Sequence, residues 1–213
     1  MKISLAEGLY LIALDDEEGR LLAAAEKTII PGLMSAAVLE LHLHKKIEIT
    51  DGVISAVNAG GTGTGNGVLD RVLNKVKSGV GFIDTIEDLS HHFANIEEDM
   101  NEILTNRGIL RKEATKLMWI PLSERMDNAN YAFEQEIRDN LRTIVFKNAK
   151  APASYVILMS LIYDCQILDE VFPDKDELID AVKVAKDMVD YPTLADYPEV
   201  SPALKALKKY FGN

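Results

Sequence analysis

The chain has one cysteine, Cys165, in 213 residues, so no internal disulfide is available to staple it. Cys165 falls inside the apolar run from Val156 to Leu168, which predicts a buried, inert thiol and a reducing compartment. Long apolar stretches are missing too. The longest, Ala149 to Ile162, is interrupted by Lys150, Pro152 and Ser154 and falls short of the roughly 20 residues that cross a bilayer. Nor does Met1-Lys2-Ile3-Ser4 resemble a secretory leader, because it runs straight into an amphipathic pattern that contains acids. A cytoplasmic protein is the expectation.

Positive charge is scarce. Lys and Arg number 23 against 34 Asp and Glu, a formal net charge of −11. Nucleic acid and anionic membranes are held largely through neutralised phosphates, so this balance argues against both unless basic residues gather locally. Acids crowd residues 169–190, where the solvated face of a helix is the expected outcome. Catalytic signatures are also absent: the chain has no Gly-x-Ser-x-Gly elbow and no His-Glu-x-x-His helix. No enzymatic activity, cofactor or metal is expected. What the chain does have is an ordinary globular balance, 47% hydrophobic and 27% charged, enough to build a core without staples.

The pattern is mostly helical. Ser4-Leu5-Ala6-Glu7 is a capping box, after which Leu5, Leu9, Ile12 and Ala13 share one helical face. A polar turn at Asp15 to Gly19 ends that helix, and a second begins near Thr28 with Pro31 in its first turn. The period then drops to two. Lys46 to Thr50 and Val53 to Val57 flank Asp51-Gly52, a pair that favours a type I′ hairpin turn. Shorter helices follow around Val68–Val76 and Ile83–Leu89, and a longer one from Phe93 to Leu104 closed by Gly108. Two short strands, Ile109 to Arg111 and Thr115 to Ile120, precede Pro121. Residues 31–58 and 93–121 thus echo each other as helix-plus-wing units. Asn130 is a candidate cap for a helix running to Val145. Pro152 to Ile167 reads as a helix buried on all sides, Asp176 to Val189 as an amphipathic one, and Ser201-Pro202 as the opening of the last. The expected fold is mostly α: a single compact domain, 1–213, with a central helix bundle, amphipathic helices around it and two small β-hairpins.

Two clusters invite a ligand. Gly60 to Gly67 precedes a helix as a phosphate loop does, but it has neither the Gly-Lys-Ser/Thr of a P-loop nor the strand–helix alternation of a dinucleotide fold. A surface loop is the better reading. His42 and His44 lie two apart on a helix and His91 and His92 are adjacent, so neither pair converges on a metal. A nucleic-acid reading of the helix-plus-wing units meets Glu97, Glu98, Asp99 and Glu102 on the candidate reading helix, the wrong sign for phosphate.

Taken in order, several segments resemble the Golgi phosphoprotein 3 family: Leu5 to Leu11, the turn Asp16-Glu17-Glu18-Gly19, Gly32-Leu33 leading to Leu39-Glu40-Leu41-His42-Leu43, Thr64 to Leu73, and Leu104 to Leu110 with Gly108. The resemblance spans nearly the whole chain. It implies a helical domain with a projecting hairpin used in self-association, and a non-catalytic peripheral membrane adaptor that recognises phosphatidylinositol 4-phosphate. The family's headgroup tryptophan falls on Ala24 or Ala25, its first arginine on Met34, and its helical arginine pair on Ala94 and Glu97. None is retained. Other basic residues, Lys27, Lys45, Lys46, Arg111, Lys112 and Lys116, are the candidates for a lipid-facing surface, and Trp119, Ile120 and Pro121 for the self-association hairpin. The implied partners are anionic lipid and a second copy of the chain; the alternative is a soluble scaffold of the same fold that binds no phosphoinositide.

Overall fold

Helix α1 (Leu5–Ile12) forms where the capping box places it. The Glu7 amide donates to Ser4 Oγ at 3.1 Å and the Ser4 amide to Glu7 Oε2 at 2.6 Å, which satisfies two of the amides a helix start leaves orphaned. In the computed structural model, which describes residues 3–15, 20–56, 63–117, 120–128, 131–147 and 151–212, every residue of α1 is buried. It is therefore a central helix, where the sequence pattern predicted a single inward face.

Two further helices share that centre. Helix α2 (Ile29–Leu43) and helix α7 (Ala153–Asp164) are apolar along most of their length and almost wholly buried, as a helix without a polar stripe must be. The three pack against one another. Gly32 makes the closest approach possible, since a Cβ there would lie 2.6 Å from Cys165 Sγ and 3.2 Å from Leu9 Cδ2. Cys165 is fully buried, and burial pushes its thiol up to about 12, the inert state the sequence implies.

Around this core, α3 (Gly67–Leu73), α4 (Phe82–His92) and α5 (Ile96–Asn106) cover one side, while α6 (Ala132–Lys147), α8 (Leu168–Val171), α9 (Lys175–Lys186) and α10 (Val200–Phe211) complete the shell. A single contiguous cluster of buried side chains takes members from every one of these helices. The boundary between α4 and α5 differs from expectation: Phe93 caps α4 and α5 starts at Ile96. The last helix also starts differently. Ser201 Oγ donates to the Val189 carbonyl instead of capping, and α10 begins two residues earlier with Glu199 at its cap.

Strands β1 (Ile47–Thr50) and β2 (Val53–Ala56) pair antiparallel, and both turn residues have positive φ, 52° at Asp51 and 74° at Gly52, the type I′ geometry. A third strand, β3 (Val80–Gly81), pairs with β2; two residues are too few to show a period of two in sequence. The second hairpin is longer than predicted. Strands β4 (Leu110–Leu117) and β5 (Ile120–Asn128) pair from Leu110↔Asn128 to Leu117↔Ile120, so Pro121 sits within the returning strand instead of beyond it. It lies opposite Lys116 beside a register shift, in a two-stranded ribbon with outer edges where a residue without an N–H is tolerated. Trp119 and Asn130 lie outside the described residues.

The helix-plus-wing echo has a structural basis. In α2 the amides of Lys45 and Lys46 donate to the His42 and Leu41 carbonyls; in α5 those of Gly108 and Ile109 donate to Thr105 and Leu104. Both are the Schellman closure, with Lys45 (φ 56°) and Gly108 (φ 66°) in the left-handed position. Gln166 ends α7 in the same way.

Candidate functional site

Two concavities are candidates. The first lies beside the α1–α2 connection. Leu14 bridges to Leu21, and the Asp15 amide donates to the Arg20 carbonyl at 2.8 Å, which folds the connection back on itself. Asp15, Arg20, Leu21, Leu22, Ala23 and Glu26 then line a hollow of about 490 Å³ together with Glu97 from the first turn of α5. Burial, and then the charge of Glu26, raise the pKa of Glu97. Beneath it, buried Tyr10 donates its hydroxyl to Asn101 Oδ1 at 2.9 Å, and burial followed by the Glu97 charge raises the pKa of that hydroxyl. A phosphate entering here would meet three carboxylates and one guanidinium, so the hollow repels anions.

The second concavity, of about 500 Å³, lies where the C-termini of α2 and α5 meet the N-termini of α1 and α3. Glu7, only 2% exposed, accepts from Arg107 Nη1 at 2.6 Å in addition to its bond from Ser4. Glu40 Oε2 accepts from the Leu5 amide at 2.8 Å. Burial above all pushes the Glu40 carboxyl up to about 7; the Leu5 amide works against that rise and the Glu7 charge adds to it. The opposite wall is the described part of the glycine loop, which is closed on itself. The Thr64 amide donates to Asp70 Oδ1 at 2.6 Å, the Asn66 amide to Thr64 Oγ1 at 3.1 Å, and Asn66 Oδ1 caps α3 by accepting from Val68 and Leu69. These bonds from Thr64 lower the Asp70 pKa. The amides that point toward phosphate in a P-loop here serve Asp70 and the turn itself.

The histidines do not converge. Buried His42 has Nδ1 3.3 Å from the Ile47 carbonyl, His44 lines the second concavity, and His92 Nδ1 lies 2.8 Å from the Asp88 carbonyl. Among the described residues no group of three metal-ligating side chains gathers.

The basic candidates divide between the two ends of α2. Lys45 and Lys46 leave its C-terminus, and Arg111 and Lys112 open β4 just beyond the end of α5; those two helix ends share the second concavity through His44 and Arg107. Lys116 lies further along β4, opposite Pro121 of β5, the strand that Ile120 opens. Lys27 precedes the N-terminus of the 15-residue α2, so about 22 Å of helix separates it from Lys45. Lys27 thus stands at the opposite end of α2 from Lys45 and Lys46. Glu7, Glu40 and Arg107 were not singled out as site residues. The available signal was Glu40, a lone acid in the otherwise apolar Val38-Leu39-Glu40-Leu41.

A family model described as Golgi phosphoprotein 3 (GPP34) matches residues 5–210, from the first residue of α1 to the penultimate residue of α10. The chain belongs to the Golgi phosphoprotein 3 family. No curated protein matches it. In this GPP34 chain the positions that the resemblance sets against a headgroup site are split between surface and core. Ala24 and Ala94 are exposed, Glu97 is half-buried, and Met34 and Ala25 are fully buried. A side chain at Met34 points into the core, where an arginine could not be accommodated without a charged partner.

Proposed function

We propose that this GPP34 chain is a non-catalytic interaction module that engages protein partners and does not recognise a phosphoinositide headgroup at the α1–α2 hollow. The supporting observation is that Glu26 and Glu97 line that hollow together, where burial first and then the Glu26 charge raise the Glu97 pKa. A phosphomonoester needs guanidinium forks or clustered lysines in the same place. On this reading the protein works in the cytoplasm and uses the β4–β5 ribbon, whose returning strand begins with Ile120 and Pro121, for assembly with a second copy. Among the described residues no helix is long and apolar enough to cross a membrane.

A peripheral membrane-adaptor role is the second reading. It draws on Lys45, Lys46, Arg111 and Lys112, which arise from two helix ends sharing one concavity, and it requires general anionic attraction in place of headgroup selectivity. Vesicle flotation at low salt separates the readings. Vesicles of phosphatidylcholine alone, with phosphatidylserine, and with phosphatidylinositol 4-phosphate are compared, with light scattering of the free protein alongside. The interaction module floats with none of them and scatters as more than a monomer. Equal flotation on both anionic vesicles favours the adaptor, and selective flotation on phosphatidylinositol 4-phosphate overturns the proposal.

A further inference from the structure

Another concavity, of about 540 Å³, lies between the end of α2, the start of β1 and the segment that leads into α10. It shares no lining residue with the two already described. His42 lines it and is 8% exposed. The His42 Nδ1 lies 3.3 Å from the Ile47 carbonyl. A carbonyl oxygen only accepts, so Nδ1 carries the proton, and in the neutral imidazole Nε2 is left as an acceptor. That nitrogen faces a second acceptor, Glu199 Oε2, at 3.8 Å, beyond hydrogen-bond reach. Glu199 is the cap residue of α10, yet its side chain takes no bond from the helix amides. Two acceptors turned toward each other require a donor between them, and either a second proton on the imidazole or an N–H from outside supplies it.

The surroundings choose the kind of donor. Glu48, Asp196 and Glu199 outnumber Lys45 along the lining, which favours a cation. Tyr197 and Pro198 add apolar surface, along which a long aliphatic stem can lie. The acceptors belong to different side chains 3.8 Å apart. One ammonium spans them with two of its three donors, whereas a guanidinium fork matches the closer oxygens of a single carboxylate. We propose that this concavity takes the side-chain ammonium of a lysine presented by a partner protein, with His42 Nε2 and Glu199 Oε2 as its acceptors. That the partner is a protein rests on the interaction-module reading. The site itself is separate from the α1–α2 hollow, so lipid binding there neither requires nor excludes lysine binding here.

The test titrates the intact protein at low salt and about pH 7.5, where an unperturbed histidine is mostly neutral. The probes are acetyl-Gly-Lys-Gly-amide and the same peptide carrying Nε-acetyl-lysine, followed by the His42 ring nitrogen shifts and the amides of Glu48 and Glu199. The lysine peptide should give saturable shifts at these sites and the acetylated peptide none. Glu199→Gln, which keeps the shape and removes the charge, should weaken binding roughly tenfold. No response to lysine, an equal response to both peptides, or undiminished binding by Glu199→Gln overturns the lysine site. The ring shifts of the free protein supply a separate check. They should report the neutral Nδ1–H tautomer at that pH, and an imidazolium, which would satisfy Glu199 from within, overturns the site as well. Should Glu199→Gln not fold, the two peptides and the ring shifts of the wild type decide alone.

Discussion

Replacing Arg107 with Met should be among the most costly single changes outside the apolar core. Glu7 is 2% exposed, and its two oxygens are taken by the Ser4 amide and by Arg107 Nη1, each at 2.6 Å. Breaking a fully buried ion pair by removing one partner costs about 3–5 kcal/mol, because a charge is left behind in a poor solvent. Here the arginine side chain is 37% exposed, so water partly replaces it and about 2 kcal/mol is the appropriate figure. Methionine keeps the apolar stem, so the loss reports charge rather than packing. In a chain of this size that corresponds to a fall in Tm of about 4–8 °C, measured by far-ultraviolet circular dichroism. Adding Glu7→Gln to Arg107→Met should cost little more, since the charge that lost its partner is then gone, and the double-mutant cycle should return a coupling of about 1–2 kcal/mol. High salt should barely alter the difference, because a buried carboxylate is poorly screened. A loss within the roughly 0.5 kcal/mol of an ordinary surface substitution, or one abolished by salt, would refute the reasoning.

Two further substitutions probe the packing and the helix ends. Gly32→Ala places a methyl 2.6 Å from Cys165 Sγ and should destabilise by about 1–3 kcal/mol; Cys165→Ala in the same chain should recover much of that in urea unfolding, and no recovery would mean the clash lies elsewhere. Lys45 holds φ at 56° in the left-handed cap of α2, so Lys45→Gly should stabilise by up to about 1 kcal/mol despite the greater freedom of the unfolded glycine. A loss in that variant would show that the lysine contributes more through its charge than it costs through its backbone.

Much of the fold was legible because local chemistry and tertiary packing agree. Ser4 and Glu7 form the predicted capping box, Asp51-Gly52 the predicted turn, and Ala153 to Asp164 the predicted buried helix. The resemblance between residues 31–58 and 93–121 rests on two matching Schellman closures, whose signature Gly108 shows plainly and Lys45 conceals. Misreadings arose where tertiary contacts decide. Strand β3 exists only because β2 offers it an edge. The β4–β5 ribbon carries Pro121 because it has no further strand beyond it. Ser201 gave its hydroxyl to the Val189 carbonyl because the 3-10 turn Met188–Asp190, packed against α10, brings that acceptor within reach.

The candidate site was legible in its sign but not in its partners. Glu97 could be placed against a family position from sequence alone, whereas Glu26, which shares the hollow, comes from a turn that only the fold brings there. Likewise nothing local in Glu7, Glu40 or Arg107 announces that they meet; they lie up to 100 positions apart. Long-range electrostatic constellations leave no periodic trace, and an isolated acid in an apolar helix is the only hint they give.

The central claim is that the hollow between Arg20 and Glu97 does not hold a phosphoinositide headgroup. The most direct measurement is a titration of the protein with water-soluble inositol phosphate carrying the 4-phosphate, followed by amide chemical shifts at low salt. The shifts of Arg20 to Glu26 and Ala94 to Glu97 should stay flat in the wild type and become responsive in Ala94→Arg/Glu97→Arg, which reverses the field at the α5 side of the hollow. Saturable shifts at those amides in the unaltered protein would contradict the account.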